Sequence, residues 1–182
     1  MQHPLARIEP GLLGSLTLRL GGLLVFSTAL LMFVDVPLQS DTASNGIISF
    51  ELAGSPTRTL AILLDWKSRS ALGYARLSLV IDFIYLLIYG LFFSSLALWV
   101  GARLGEARWS ARAAWAALLA AGFDVLENSV LLYELNRFTS PSPYPQVAAS
   151  FALTKFALIL GSALYGVGGG VAVLAKRQRR PL

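Results

Sequence analysis

The stretch that most constrains this chain is residues 120–135, AAGFDVLENSVLLYEL. It lies inside an apolar run long enough to cross a bilayer, yet carries Asp124, Glu127 and Asn128 within about one helical turn. In hydrocarbon the backbone must satisfy its own hydrogen bonds, so a segment of this kind spans as a helix. An acidic side chain at the centre of such a helix costs about 2.5–3.5 kcal/mol on insertion scales. Two of them in one span demand partners, and the rest of the chain has to supply them.

The remainder of the sequence is consistent with a membrane setting. The 182 residues are 55% hydrophobic and 14% charged, and the apolar residues fall in long blocks rather than a periodic pattern. A soluble domain of this size needs more polar surface, so the whole chain, residues 1–182, reads as one integral membrane domain. There is no cysteine, which excludes disulfides, thiolate metal sites and thiol redox chemistry. The single histidine, His3, sits in a polar N-terminal tip, so haem, histidine-ligated zinc and histidine catalysis within the membrane are excluded, and no cofactor or metal is expected. The net charge of +5 does not point to nucleic acid. Lys176, Arg177, Arg179 and Arg180 follow an apolar helix directly, as a cytoplasmic flank against anionic head groups does.

Four spans are expected, at about 20–37, 77–102, 113–135 and 147–175, giving an all-α four-transmembrane-helix bundle. Residues 1–18 read as a short interfacial helix or an early extension of the first span. That span is too long for the apolar core of a signal peptide and is expected to remain uncleaved. Residues 38–70 form a periplasmic loop. In it Ser55 and Pro56 mark a helix start, and Leu60, Leu63 and Leu64 recur at helical spacing beside Trp66, which suits a membrane interface. This predicts an amphipathic extracytoplasmic helix, with the apolar IISFEL segment before it covering the bundle mouth. The proline-rich 136–146 segment cannot continue a helix. Arg7, Arg19, the 103–112 loop and the 176–182 tail place both termini in the cytoplasm of a bacterial inner membrane.

With that topology Asp82, the Asp124/Glu127/Asn128 group and Lys155 fall at similar depths in the outer half of the bilayer. Asp124, Glu127, Asn128 and Leu131 follow the i, i+3, i+4, i+7 rule and share one face, as do Asp82, Tyr85 and Tyr89. Glu51 and Arg76 are positioned to join from above. Three deep acids against one deep base leave at least one carboxyl to be protonated, or held by Arg76, a cation or water. The same groups serve equally as interhelical glue. A divalent-cation site is disfavoured by the adjacent lysine and the lack of histidine, and a Schiff-base role for Lys155 by the small size of a four-helix interior. Gly166 and Gly170, at GxxxG spacing, allow close helix contact within the bundle or between copies in a homo-oligomer.

The segments NGIISFELAG (45–54), DFIYLLIYG (82–90), GFDVLEN (122–128) and LTKFALILGSALYG (153–166) together resemble a group of small bacterial four-helix integral membrane proteins with no assigned function. The resemblance spans most of the chain. It implies Glu51, Asp82, Asp124, Glu127, Asn128 and Lys155 as characteristic polar positions and brings no activity with it. From the residues themselves, the first expectation is a pocket for a membrane lipid or small amphipathic molecule, lined by Asp82, Tyr85, Tyr89, Asp124, Glu127, Asn128 and Lys155, with Glu51 and Arg76. The alternatives are an intramembrane enzyme with Glu127 or Asp124 as general acid/base, and a structural subunit pairing with another membrane protein.

Overall fold

A computed structural model describes residues 3–138 and 143–178, with side chains to residue 176. It contains six α-helices: α1 (Pro10–Asp35), α2 (Ile47–Glu51), α3 (Pro56–Ser68), α4 (Leu72–Leu104), α5 (Ala107–Arg137) and α6 (Tyr144–Gln178), with short 3₁₀ turns at Pro4–Arg7 and Val36–Leu38. No strand occurs among the described residues. The segments Pro10–Leu38, Leu72–Leu104, Ala107–Arg137 and Tyr144–Lys176 are long and apolar enough to cross a membrane, giving the expected all-α four-helix bundle. Each helix is longer than its apolar run because the polar ends also wind helically. Residues 10–18 are accordingly an extension of the first span, opened by Pro10. Part of the proline-rich connection, 139–142, and the end of the basic tail, 179–182, lie outside the described residues.

The chain divides into two compact units, and each long helix contributes to both. The first contains residues up to 24, 87–121 and from 156 onward. Small side chains set its packing. Gly166 lies against Leu96 and Gly169 against Val100, so that α6 approaches α4 closely. Gly166 thus serves a contact inside the bundle, whereas Gly170 has open space around it. Ser94 and Ser162 donate to the carbonyls of Ala114 and Ala113, each at 2.9 Å. The turn from α4 to α5 is closed by Gly105 at φ +78°, with the Gly105 and Glu106 amides both donating to the Gly101 carbonyl.

The expectation for His3 needs correction. It is 1% exposed, packed edge-on to Trp115 at 5.1 Å, and its Nδ1 accepts the Leu5 amide at 3.2 Å. The Pro4–Arg7 turn folds the tip back, and burial lowers the imidazole pKa, favouring the neutral ring.

The second unit contains residues 25–86 and 122–155. Its apolar core joins the 36–71 cover to the helices through Leu38, Phe50, Ile62, Leu63, Trp66, Leu79, Leu131 and Ala148. The cover is tied by its own polar contacts. Trp66 Nε1 donates to the Leu38 carbonyl at 2.8 Å. Arg69 pairs with Asp65 at 2.7 Å and donates to the Pro37 and Gln39 carbonyls, while Ser40 donates to Asp65 at 2.8 Å. Asp35, at the end of α1, accepts the Ile47 amide at 2.7 Å and so fixes where α2 begins. Gly46 precedes it at φ +53°, where a Cβ would collide with the Asp35 carboxylate.

Ser55 caps α3 as expected, accepting the Arg58 amide at 3.3 Å. The buried face of this helix differs from the leucine stripe. Thr59, Ile62, Leu63 and Trp66 face inward, while Leu60 and Leu64 are 41% and 51% exposed. The Trp66 indole has a buried carbonyl as its acceptor, so the ring is core rather than interfacial. A Trp66→Ala substitution deletes the largest buried side chain of the cover and orphans the Leu38 carbonyl. It is expected to cost about 3–5 kcal/mol, read as a lowered melting temperature in mild detergent, whereas Leu60→Ala stays within about 0.5 kcal/mol.

Candidate functional site: a buried ion cluster

All the residues that form the cluster belong to the second unit. Asp82 sits about ten residues inside the first residue of α4, Glu127 about ten before the last of α5, and Lys155 about eleven inside the first of α6. At 1.5 Å per residue each lies about 15 Å along its helix. On every helix an apolar residue of the core stands about one turn closer to the cover: Leu79 beside Asp82, Leu131 beside Glu127 and Ala152 beside Lys155. The charges are therefore set beneath an apolar layer.

Lys155 is the centre. Its Nζ lies 2.8 Å from Asp124 Oδ1, 2.9 Å from Glu127 Oε2 and 3.3 Å from Glu51 Oε2. An ammonium has three N–H donors, and three carboxylates surround this one. Two come from α5, where the i, i+3 spacing places Asp124 and Glu127 on one face. The third is delivered by α2 from outside the spans. Beside them Asn128 Nδ2 donates to Asp82 Oδ2 at 2.6 Å, linking α5 to α4. Lys155, Asp124, Glu127, Asn128 and Glu51 are all buried and Asp82 is half-buried.

Two acceptors remain. Glu127 Oε1 and Asn128 Oδ1 are buried and have no hydrogen-bond partner among the described residues. A buried polar atom left without a partner is costly, so both mark places where a further donor is wanted. Among the described residues no three His, Asp or Glu side chains are arranged to hold a metal ion. The position a cation would take among the carboxylates is filled by Lys155 Nζ.

Burial pushes the Glu51 carboxyl above the ordinary glutamate range; Lys155 opposes the rise and Asp124 adds to it. The remaining sequence candidates are Arg76, Tyr85 and Tyr89. Arg76 is exposed and donates to Asn136 Oδ1 at 2.9 Å, so it does not join Lys155. Of the groups named to hold the surplus acid, Arg76 reaches a neutral amide instead. Tyr85 accepts from Thr28 Oγ1 at 3.2 Å, and Tyr89 is buried on α4.

Sequence reasoning missed Glu134. It is buried on α5, with Oε2 lacking a partner among the described residues, seven residues beyond Glu127 and so on the same face. That i+7 spacing was the available signal. It also missed Asp35, whose role rests on a contact that no local pattern announces.

Removing the central cation leaves three carboxylates facing one another. Lys155→Ala is expected to cost about 3–5 kcal/mol, and adding Glu127→Gln to that variant should restore part of it, read by thermal melting in detergent. Glu51 gives a pH signature. Its raised folded-state pKa stabilises the fold fully below the unfolded value, and that contribution is lost as pH rises through the folded value. The melting temperature of Glu51→Gln relative to wild type should accordingly shift in the variant's favour as pH rises from about 4; a constant difference would contradict the assignment.

The chain matches no protein-family model, no curated protein and no solved structure, so the functional reading rests on this geometry.

Proposed function

We propose that this chain is an integral protein of a bacterial cytoplasmic membrane, with both termini cytoplasmic, that binds a lipid-like or small amphipathic molecule at the Lys155 centre. The observation that carries the proposal is the mismatch within the cluster. Three carboxyl groups ring one ammonium, a fourth, Asp82, is held beside them by Asn128, and two buried acceptor oxygens are left over. Ion pairs that serve only to hold helices together need no such surplus, since each unmatched acid raises the cost of burial. The depth of the cluster and the apolar residues around it suit a molecule with a polar head and an apolar body. Binding of this kind serves transport or sensing.

An intramembrane enzyme is the second reading. Glu127 rests against Lys155 through one carboxyl oxygen and keeps the other without a partner, the arrangement of a proton-transferring acid/base.

Mass spectrometry of protein purified in mild detergent tests the first reading. A small amphipathic molecule is expected to accompany the wild type and to be depleted roughly tenfold or more in Glu127→Gln at unchanged helicity. Retention of the same molecule by the variant, or a bare wild-type protein, would count against binding at this centre. Conversion of the bound molecule by wild type, lost in Glu127→Gln with binding kept, would favour the enzyme.

A further inference from the structure

The proposed binding site admits a narrower statement about the head group of its ligand, which rests on the binding reading above. Hydrogen-bond bookkeeping at the cluster is one-sided. Two of its donors are Lys155 Nζ and Asn128 Nδ2. The first is ringed by Glu51, Asp124 and Glu127, and the second gives one N–H to Asp82 at 2.6 Å. The groups left over are acceptors: Glu127 Oε1 and Asn128 Oδ1, adjacent on α5 and both buried. A phosphate or carboxylate head group would find no uncommitted cation and would meet four carboxyl groups. A donor-rich head meets the opposite situation, because each N–H it brings can satisfy an oxygen that has nothing.

Charge points the same way. With Glu51, Asp82, Asp124 and Glu127 beside Lys155, a bound proton or an added positive charge has to offset what one lysine leaves unbalanced. The sequence carries Arg76 toward the same end of α4, but that guanidinium is spent on Asn136 at 2.9 Å. The Arg76 guanidinium is therefore not the compensating charge.

We propose that the Glu127/Asn128 side of the Lys155 centre receives the protonated amine of an amphiphile, whose apolar body lies along the helices. In its simplest form the ligand is a long-chain primary ammonium. The head hydrogen-bonds to Glu127 Oε1 and Asn128 Oδ1, and Asp82 supplies the nearby negative charge. Lys155 positions Glu127 and does not touch the ligand.

Three probes of one chain length decide the matter: dodecylamine, dodecanol and dodecyl phosphate. Each is titrated at pH 7 into wild-type protein in zwitterionic nanodiscs, with heats and melting shifts corrected against empty nanodiscs. The amine is expected to bind about tenfold or more tightly than either other probe. Asp82→Asn and Glu127→Gln should remove that preference, bringing the amine and the alcohol to within about threefold of each other in the same variant. Equal or tighter binding of the alcohol or the phosphate overturns the cationic head group and leaves the binding proposal standing. No binding beyond the empty-nanodisc control for any probe overturns both. Should either variant fail to fold, the three probes on the wild type decide the head group by themselves.

Discussion

A lysine ammonium buried among three carboxylates is the contact on which the second unit depends. Neither sign is tolerable alone at that depth: an unpaired lysine in hydrocarbon is expelled or neutralised, and clustered carboxylates repel. Lys155 and its acids are therefore stable only together, and they come from three separate elements, α2, α5 and α6. This makes the cluster a constraint on topology as well as a candidate site. The cover cannot be an incidental loop, because it carries Glu51 to the lysine. Its internal ties, from Asp35 to Ile47, from Trp66 to Leu38 and from Arg69 to the 37–39 backbone, hold α2 where that carboxylate has to be.

The two units solve helix association by different means. Lipid tails are as apolar as leucine, so burying leucine against leucine contributes little between spanning helices, and close packing or polar contacts must hold them. The first unit uses close packing, with Gly166 against Leu96, Gly169 against Val100 and serine hydroxyls on neighbouring carbonyls. The second uses charge, with an apolar layer of Phe50, Trp66, Leu79 and Leu131 above it. In the charged layer Glu127 Oε1 and Asn128 Oδ1 are without hydrogen-bond partners among the described residues.

Much of the cluster was legible because helices and bilayers are both regular. Counting residues inward from the span ends places Asp82, Glu127 and Lys155 at one level, and the i, i+3, i+4 rule turns Asp124, Glu127 and Asn128 to one side. Glu51 was legible for a weaker reason, as the one acid in an apolar segment of the loop. Arg76 and Tyr85 show where such counting ends. Arg76 has an acceptable depth and face, yet its flexible side chain settles on Asn136, and Tyr85 meets Thr28. Similarly, the leucines of α3 announced an apolar stripe that the fold does not use, because the wall it packs against favours Ile62, Leu63 and Trp66.

The sequence by itself determined the four helices long and apolar enough to cross a membrane, the capped start of α3 and the shared level of the deep charges. Each of these follows from length, hydropathy and helical period, which are local and additive along the chain. Tertiary structure alone decided which acid meets the lysine, which donors are consumed, and that His3 folds back onto Trp115 instead of remaining in a polar tip. Those outcomes depend on distances between residues far apart in sequence, and a difference of one or two ångströms separates an ion pair from an orphaned charge.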